Sequence, residues 1–266
     1  MPWNIANLKE LKFNNTYLYL GTDNGILVYN YRTDKYEQPE TDFPTDVRTM
    51  ALQGDTLWIG SLNGLYTYQL NTKKLASLDS KSNGLPHHTI YSIIRTTDNQ
   101  IYVGTYNGLC RYIEESGKFE NIPLPVNRSV SNLFVNSLLE DTSRQCIWIG
   151  MEGSLFQYTP ATGLMKPIDA FHNNSIKSLA LDGDGNLLAG TDNGLYVYQN
   201  DNGTLQHIVH DSRNIQSLTN NIIWNIFADQ EQNIWLGTDY GISLSRYNSA
   251  LQFIPISQIT VVAWKG

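Results

Sequence analysis

Two sets of side chains in this 266-residue chain have the chemistry to hold a polar ligand, and each recurs at a fixed place in a repeated phrase. The first set sits just before a turn glycine or an Asn-Gly pair: Asp23, Tyr106, Glu152, Asp192 and Asp239. The second set falls early in a short apolar segment that opens each repeat: Lys9, Arg48, Tyr91, Asn136, Lys177 and Trp224. Carboxylates, amides, basic groups and flat rings together suit a sugar. A ring face covers the C–H side of a pyranose, while donors and acceptors bridge its hydroxyls. Acids in a hairpin also favour the turn itself, with no ligand involved. The second set is therefore the stronger candidate, because Arg48, Tyr91, Lys177 and Trp224 would crowd one channel mouth. Its bland alternative is a set of channel-lining groups that satisfy one another.

Catalytic signatures are missing. There is no G-x-S-x-G elbow, P-loop or H-E-x-x-H, and the Ser, His and Asp residues have no spacing that selects a nucleophile. His87-His88 invites a metal reading, yet adjacent side chains of an extended segment point apart and no third ligand is nearby. Asp182-Gly183-Asp184-Gly185-Asn186 lacks the glycine and the bidentate Glu of a calcium loop and reads as a polar turn. Neither a metal nor a cofactor is expected. An enzyme on this scaffold, of the propeller lyase type, would need a His and a carboxylate on one face, such as His87 or His172 with Glu152.

The elements that position these residues are visible as a repeat. An apolar or aromatic pair, a glycine, a tight turn and a strand ending in Tyr return six times, as in LWIGSLNGLYTY from Leu57 and IYVGTYNGLCRY from Ile101. The first glycines are Gly21, Gly60, Gly104, Gly150, Gly190 and Gly237, in steps of 39 to 47 residues. A repeat of that length built from short strands and turns predicts an all-β fold, a β-propeller of six four-stranded blades. One domain spans 1–266, with blades near 5–40, 46–80, 89–123, 134–169, 175–210 and 221–257. Residues 258–266 supply an extra strand or the start of a further blade. Whether six blades close a ring or form an arc of a seven-bladed one is open at this level.

Within a blade, the innermost strand is apolar on both parities, as in Val47–Leu52 and Ile176–Leu181, which suits burial on both faces. The next strand carries a ring or leucine two residues before the glycine, where the missing side chain lets a neighbour approach. Asn24-Gly25, Asn63-Gly64, Asn107-Gly108 and Asn193-Gly194 suit a two-residue type I′ turn. The outer strand is short and polar, as an edge should be. Thr22, Thr105, Thr191 and Thr238 recur once per blade, which marks them as architecture.

The formal charge of −7 and the lack of any Lys/Arg run argue against nucleic acid and against direct membrane contact, since both need clustered positive charge. No apolar stretch approaches the roughly 20 residues that span a bilayer, and the N-terminus has no secretory signal pattern. Cys110 and Cys146 fall at opposite ends of neighbouring blades and are expected as two thiols.

The run I/L-W-I-G-T-x-x-G-L-x-x-Y, after a strand of pattern N-x-I/V-x-S/N-I/L, resembles the two-component regulator propeller repeat. Ile101 to Tyr112, Ile147 to Tyr158 and Asn220 to Gly241 match best, and the resemblance runs from about 8 to 257. It implies a periplasmic, non-catalytic sensor segment of a hybrid two-component system that binds an oligosaccharide or other small polar ligand. It also implies a second propeller, another sensor segment or a homodimer partner. The membrane helix and kinase of such systems are not in this sequence, so the chain reads as an excised sensory segment. A protein-interaction scaffold is the further alternative.

Overall fold

In the computed structural model the described residues are 8–14, 16–37, 42–78, 82–125, 133–171, 174–199, 202–247 and 252–256. Residues 258–266, expected as an extra strand or the start of a further blade, and His172 lie outside them.

The chain forms six four-stranded antiparallel sheets, each a meander in chain order. The first holds β1 (Leu8–Phe13), β2 (Tyr17–Thr22), β3 (Gly25–Asn30) and β4 (Lys35–Glu37). The second holds β5 (Val47–Gln53), β6 (Thr56–Ser61), β7 (Gly64–Gln69) and β8 (Lys74–Leu78). The third is β9 (Ile90–Arg95), β10 (Ile101–Thr105), β11 (Gly108–Ile113) and β12 (Lys118–Ile122). The fourth is β13 (Val135–Asp141), β14 (Cys146–Met151), β15 (Ser154–Thr159) and β16 (Leu164–Pro167). The fifth is β17 (Ile176–Leu181), β18 (Leu187–Thr191), β19 (Gly194–Gln199) and β20 (Thr204–Ile208). The sixth is β21 (Ile223–Ala228), β22 (Ile234–Thr238), β23 (Gly241–Ser245) and β24 (Phe253–Ile256). Two compact units divide the chain, residues 1–149 with 158–165 and residues 150–157 with 166–266.

In the first unit the innermost strands pack in succession, β1 on β5, β5 on β9 and β9 on β13; in the second, β17 packs on β21. The repeated glycine makes that approach possible. A Cβ added to Gly21 would stand 2.7 Å from Val47 Cγ1, one on Gly60 2.5 Å from Ile90 Cγ2, and one on Gly104 2.6 Å from Val135 Cγ1. Gly150 and Gly190 meet Ile176 Cγ2 and Ile223 Cγ2 in the same way, at 2.6 and 2.7 Å. Real heavy atoms do not approach so closely, so each glycine is the socket for the β-branched residue that opens the next sheet. Hydroxyls one turn further on tie the strands. Thr49 Oγ1 accepts the Ile93 N–H at 3.1 Å and Ser178 Oγ the Ile226 N–H at 3.0 Å.

The core lies between successive sheets. In the first unit Ala51, Trp58 and Leu65 face Ile90, Ile93, Val103 and Cys110. In the second, Ala180, Leu188, Leu195 and Val197 face Ile223, Ile226, Ile234 and Leu236. The outer strands β4, β8 and β20 carry mostly exposed side chains. On the sixth sheet Phe227 is 62% exposed, and among the described residues a Cβ on Gly237 would find only Asn225, at 3.9 Å, within its own sheet.

The hairpins differ from expectation. Thr22 pairs with Gly25, so Asp23 and Asn24 are the two central residues and the glycine follows them. Gly25, Gly108 and Gly194 have φ of 114°, 112° and 100°, while the preceding asparagines are not in the left-handed region. A type I′ turn would place both Asn and Gly there. Here a turn with ordinary φ at its centre ends on a glycine that enters the next strand. The hydroxyl explains the choice: Thr22 Oγ1 accepts the Asn24 N–H at 3.1 Å and donates to the Gly25 carbonyl at 2.9 Å. Ser61, Thr105 and Thr191 repeat both bonds. The recurrent hydroxyls thus hold the turn by local bonding.

Candidate ligand site at the hairpin ends

The second candidate set has a backbone cause that the residue pattern did not reveal. Val47 pairs with Ser61 and Thr49 with Gly60, so Arg48 is an extra residue with no partner. Tyr91 is skipped between Ile90 and Ser92, Lys177 between Ile176 and Ser178, and Trp224 between Ile223 and Asn225. Lys9 holds the same place on β1, and Asn136 is likewise the second residue of β13. A bulge of this kind frees one residue from the ladder and re-aims its side chain. Each lies opposite the end of the second strand, next to the hairpin, so both candidate sets stand at the same end of their sheets.

In the first unit these positions meet in a row of rings. His87 and His88 stack with centroids 4.3 Å apart, and His87 lies 4.9 Å from Tyr106. Tyr106 meets Phe134 edge to face at 4.1 Å, and Phe134 meets Tyr91 edge to face at 5.6 Å. Tyr106 is 37% exposed, and Tyr91, Phe134 and His87 are half-buried. Burial raises the Tyr91 phenol above its ordinary value, and the positive Arg48 acts in the opposite sense. Burial, with a smaller push from His88, lowers His87, whose Nδ1 accepts the Thr89 N–H at 3.0 Å. His87 is thus a neutral ring within a wall of rings. Among the described residues no three His, Cys, Asp or Glu side chains group to hold a metal ion. Asp23 is half-buried, and its carbonyl accepts the Asp46 N–H.

In the second unit, Trp224 is 56% exposed and donates its indole N–H to Asp239. Lys177 Nζ sits 4.6 Å from the Trp224 ring centroid, a cation–π contact that holds ring and ammonium together. Glu152 accepts the Ser175 hydroxyl at 2.7 Å, and Asp192 is exposed. Three candidates therefore form one cluster, while Glu152 serves a local bond.

Phe134 and the ring role of His87 were missed by sequence reasoning. Phe134 stands one residue before β13, outside both repeating positions, and His87 drew notice only as a metal ligand or a lyase histidine. The contact that joins them is Tyr106, whose loop is bridged by Asn107 to Leu133. At the opposite ends of the third and fourth sheets a cavity of about 660 Å³ is lined by Tyr102, Arg111 and Glu140. Arg111 pairs with Glu120 at 2.7 Å, and Glu140 accepts the Thr97 hydroxyl at 2.8 Å.

Six four-stranded meanders, five of them socketed on the next innermost strand by an aligned glycine, define the β-propeller class. Residues 84–107 and 217–240 match the family model described as two component regulator propeller, and the chain carries repeats of that family. It is similar to the extracellular domain of a hybrid two component system from B. thetaiotaomicron, at 78% identity and a TM-score of 0.87 over 96% of this chain and 34% of that one. A second such extracellular domain from B. thetaiotaomicron, 23% identical with a TM-score of 0.72, covers 89% of this chain and 33% of its own and shares the fold. A protein named Histidine kinase P4 from Formosa agariphila is 29% identical over 87% of this chain and 18% of its own length. The chain therefore spans about a third or less of these relatives. No helix among the described residues is long and apolar enough to cross a membrane.

Proposed function

We propose that this chain is the ligand-binding input segment of a two-component signalling protein, working in the periplasm and without catalysis. Its ligand is an oligosaccharide or other small polar molecule held at the hairpin ends of the sheets. The observation that carries this is the row His88, His87, Tyr106, Phe134 and Tyr91. Rings left half-exposed beside bulge-directed polar groups cover sugar C–H faces while the polar groups take the hydroxyls. Relatives that belong to two component systems support the signalling role. A second propeller, another sensor segment or a second copy completes the assembly, with no nucleic acid and no direct membrane contact.

The test is calorimetric titration of the chain with an oligosaccharide panel, followed by chromatography of the recovered sugar. Saturable binding that Tyr106→Ala abolishes, with the sugar intact, is the expected result. Cleaved or eliminated product would replace this reading with an enzyme.

A further inference from the structure

Arg48 points to the class of sugar. This inference rests on the site proposed above and narrows it. Arg48 is the bulge residue of β5, lifted out of the ladder between Val47 and Thr49. Its guanidinium influences the Tyr91 phenol, which is the matching bulge residue of β9. Its Nε is sealed from solvent and has no hydrogen-bond partner among the described residues. Buried donors are nearly always paired, and an unpaired one calls for a cause. A structural arginine in such a place would meet a backbone carbonyl or a carboxylate. This one leaves its Nε unpaired among the described residues and stands near enough to Tyr91, the end of the ring row, for its charge to act on that phenol.

We propose that Arg48 receives the anionic group of an acidic sugar, a carboxylate or a sulfate ester, whose ring lies on the adjacent aromatic row. A guanidinium matches two oxygens of such a group at once, and a charge-assisted pair is about twice as strong as a neutral one. A neutral hydroxyl would engage one N–H and leave the fork incomplete. The chain's formal charge of −7 repels anions in general, so an acidic ligand needs a local cation of this kind.

Three oligosaccharides of equal length decide it by titration: one bearing a uronic acid, one a sulfate ester and one neutral. Each is measured on the unaltered chain, on Arg48→Gln, on Arg48→Lys and on Tyr106→Ala, with thermal melts to confirm folding. The expected result is preference for one acidic sugar, weakened about tenfold or more by Arg48→Gln. Arg48→Lys, which keeps the charge without the fork, should recover only part of that affinity. Tyr106→Ala should weaken that sugar as well. Which acidic sugar binds separates carboxylate from sulfate. Equal binding of the neutral sugar, or an acidic sugar indifferent to Arg48→Gln, overturns this proposal and leaves the sensor reading intact. Failure of every sugar overturns both.

Discussion

Tyr106 and Phe134 meet edge to face with centroids 4.1 Å apart, one on a hairpin tip of the third sheet and the other one residue before the fourth. The pair joins the stacked histidines to Tyr91, so five rings from three separate stretches of chain make one surface. Phe134→Ala should weaken ligand binding by about 1 kcal/mol, the value of an aromatic pair beyond its area. Tyr106→Ala should act in the same direction with almost no change in Tm, because its ring is partly solvated. Calorimetry and melting curves on the same samples check both.

The glycine sockets predict a contrast between identical substitutions. Gly60→Ala drives a Cβ against Ile90 and Thr49 and should cost about 1–3 kcal/mol as overpacking. Gly237→Ala meets nothing closer than 3.9 Å among the described residues and should change stability by under about 0.5 kcal/mol. The same logic separates Leu195→Ala, about 2–5 kcal/mol for a fully buried leucine, from Phe227→Ser at an exposed ring, which should be nearly neutral. Urea unfolding of the four variants tests the set.

Asp141 gives a signed pH dependence. Burial pushes its carboxyl up, but bonds from Ser143, Trp148 and Arg144 outweigh that and hold it below its ordinary 3.8. A depressed folded pKa contributes stability above the unfolded value, lost as pH falls through the folded one. Asp141→Asn should therefore have a lower Tm at neutral pH. The gap should narrow only once the pH drops below about 3.8, the ordinary carboxylate value. A gap that stays constant down to acid unfolding would refute this origin.

Cys110 and Cys146 are both buried and form no disulfide, and burial raises the Cys110 thiol well above its usual range. Neither should react with a thiol reagent in the native chain at neutral pH, since the thiolate is the nucleophile. Both should react promptly in denaturant, as read by mass spectrometry.

Much of this was legible in the residues. Six aligned glycines, the rings before them and the polar outer strands were enough to give an all-β fold of six four-stranded sheets, because strand period and turn composition act locally. Asn24-Gly25 misled the turn assignment, since the same dipeptide suits two geometries and the hydroxyl of Thr22 chose between them. The variable residues Arg48, Tyr91, Lys177 and Trp224 were found by alignment, but not the reason for them. A bulge is a mismatch between two strands, and a single strand carries no mark of its partner's register.

The sequence by itself determined the repeat, the all-β meanders and two rows of polar and aromatic candidates, since these depend on neighbours a few residues apart. Only the tertiary structure decided that Phe134 and His87 join Tyr106, that Lys177 and Asp239 hold Trp224, and that the Arg48 Nε is buried without a partner among the described residues. Such contacts arise between residues 15 to 47 positions apart that meet by packing, and the free energy of packing is written in no one segment.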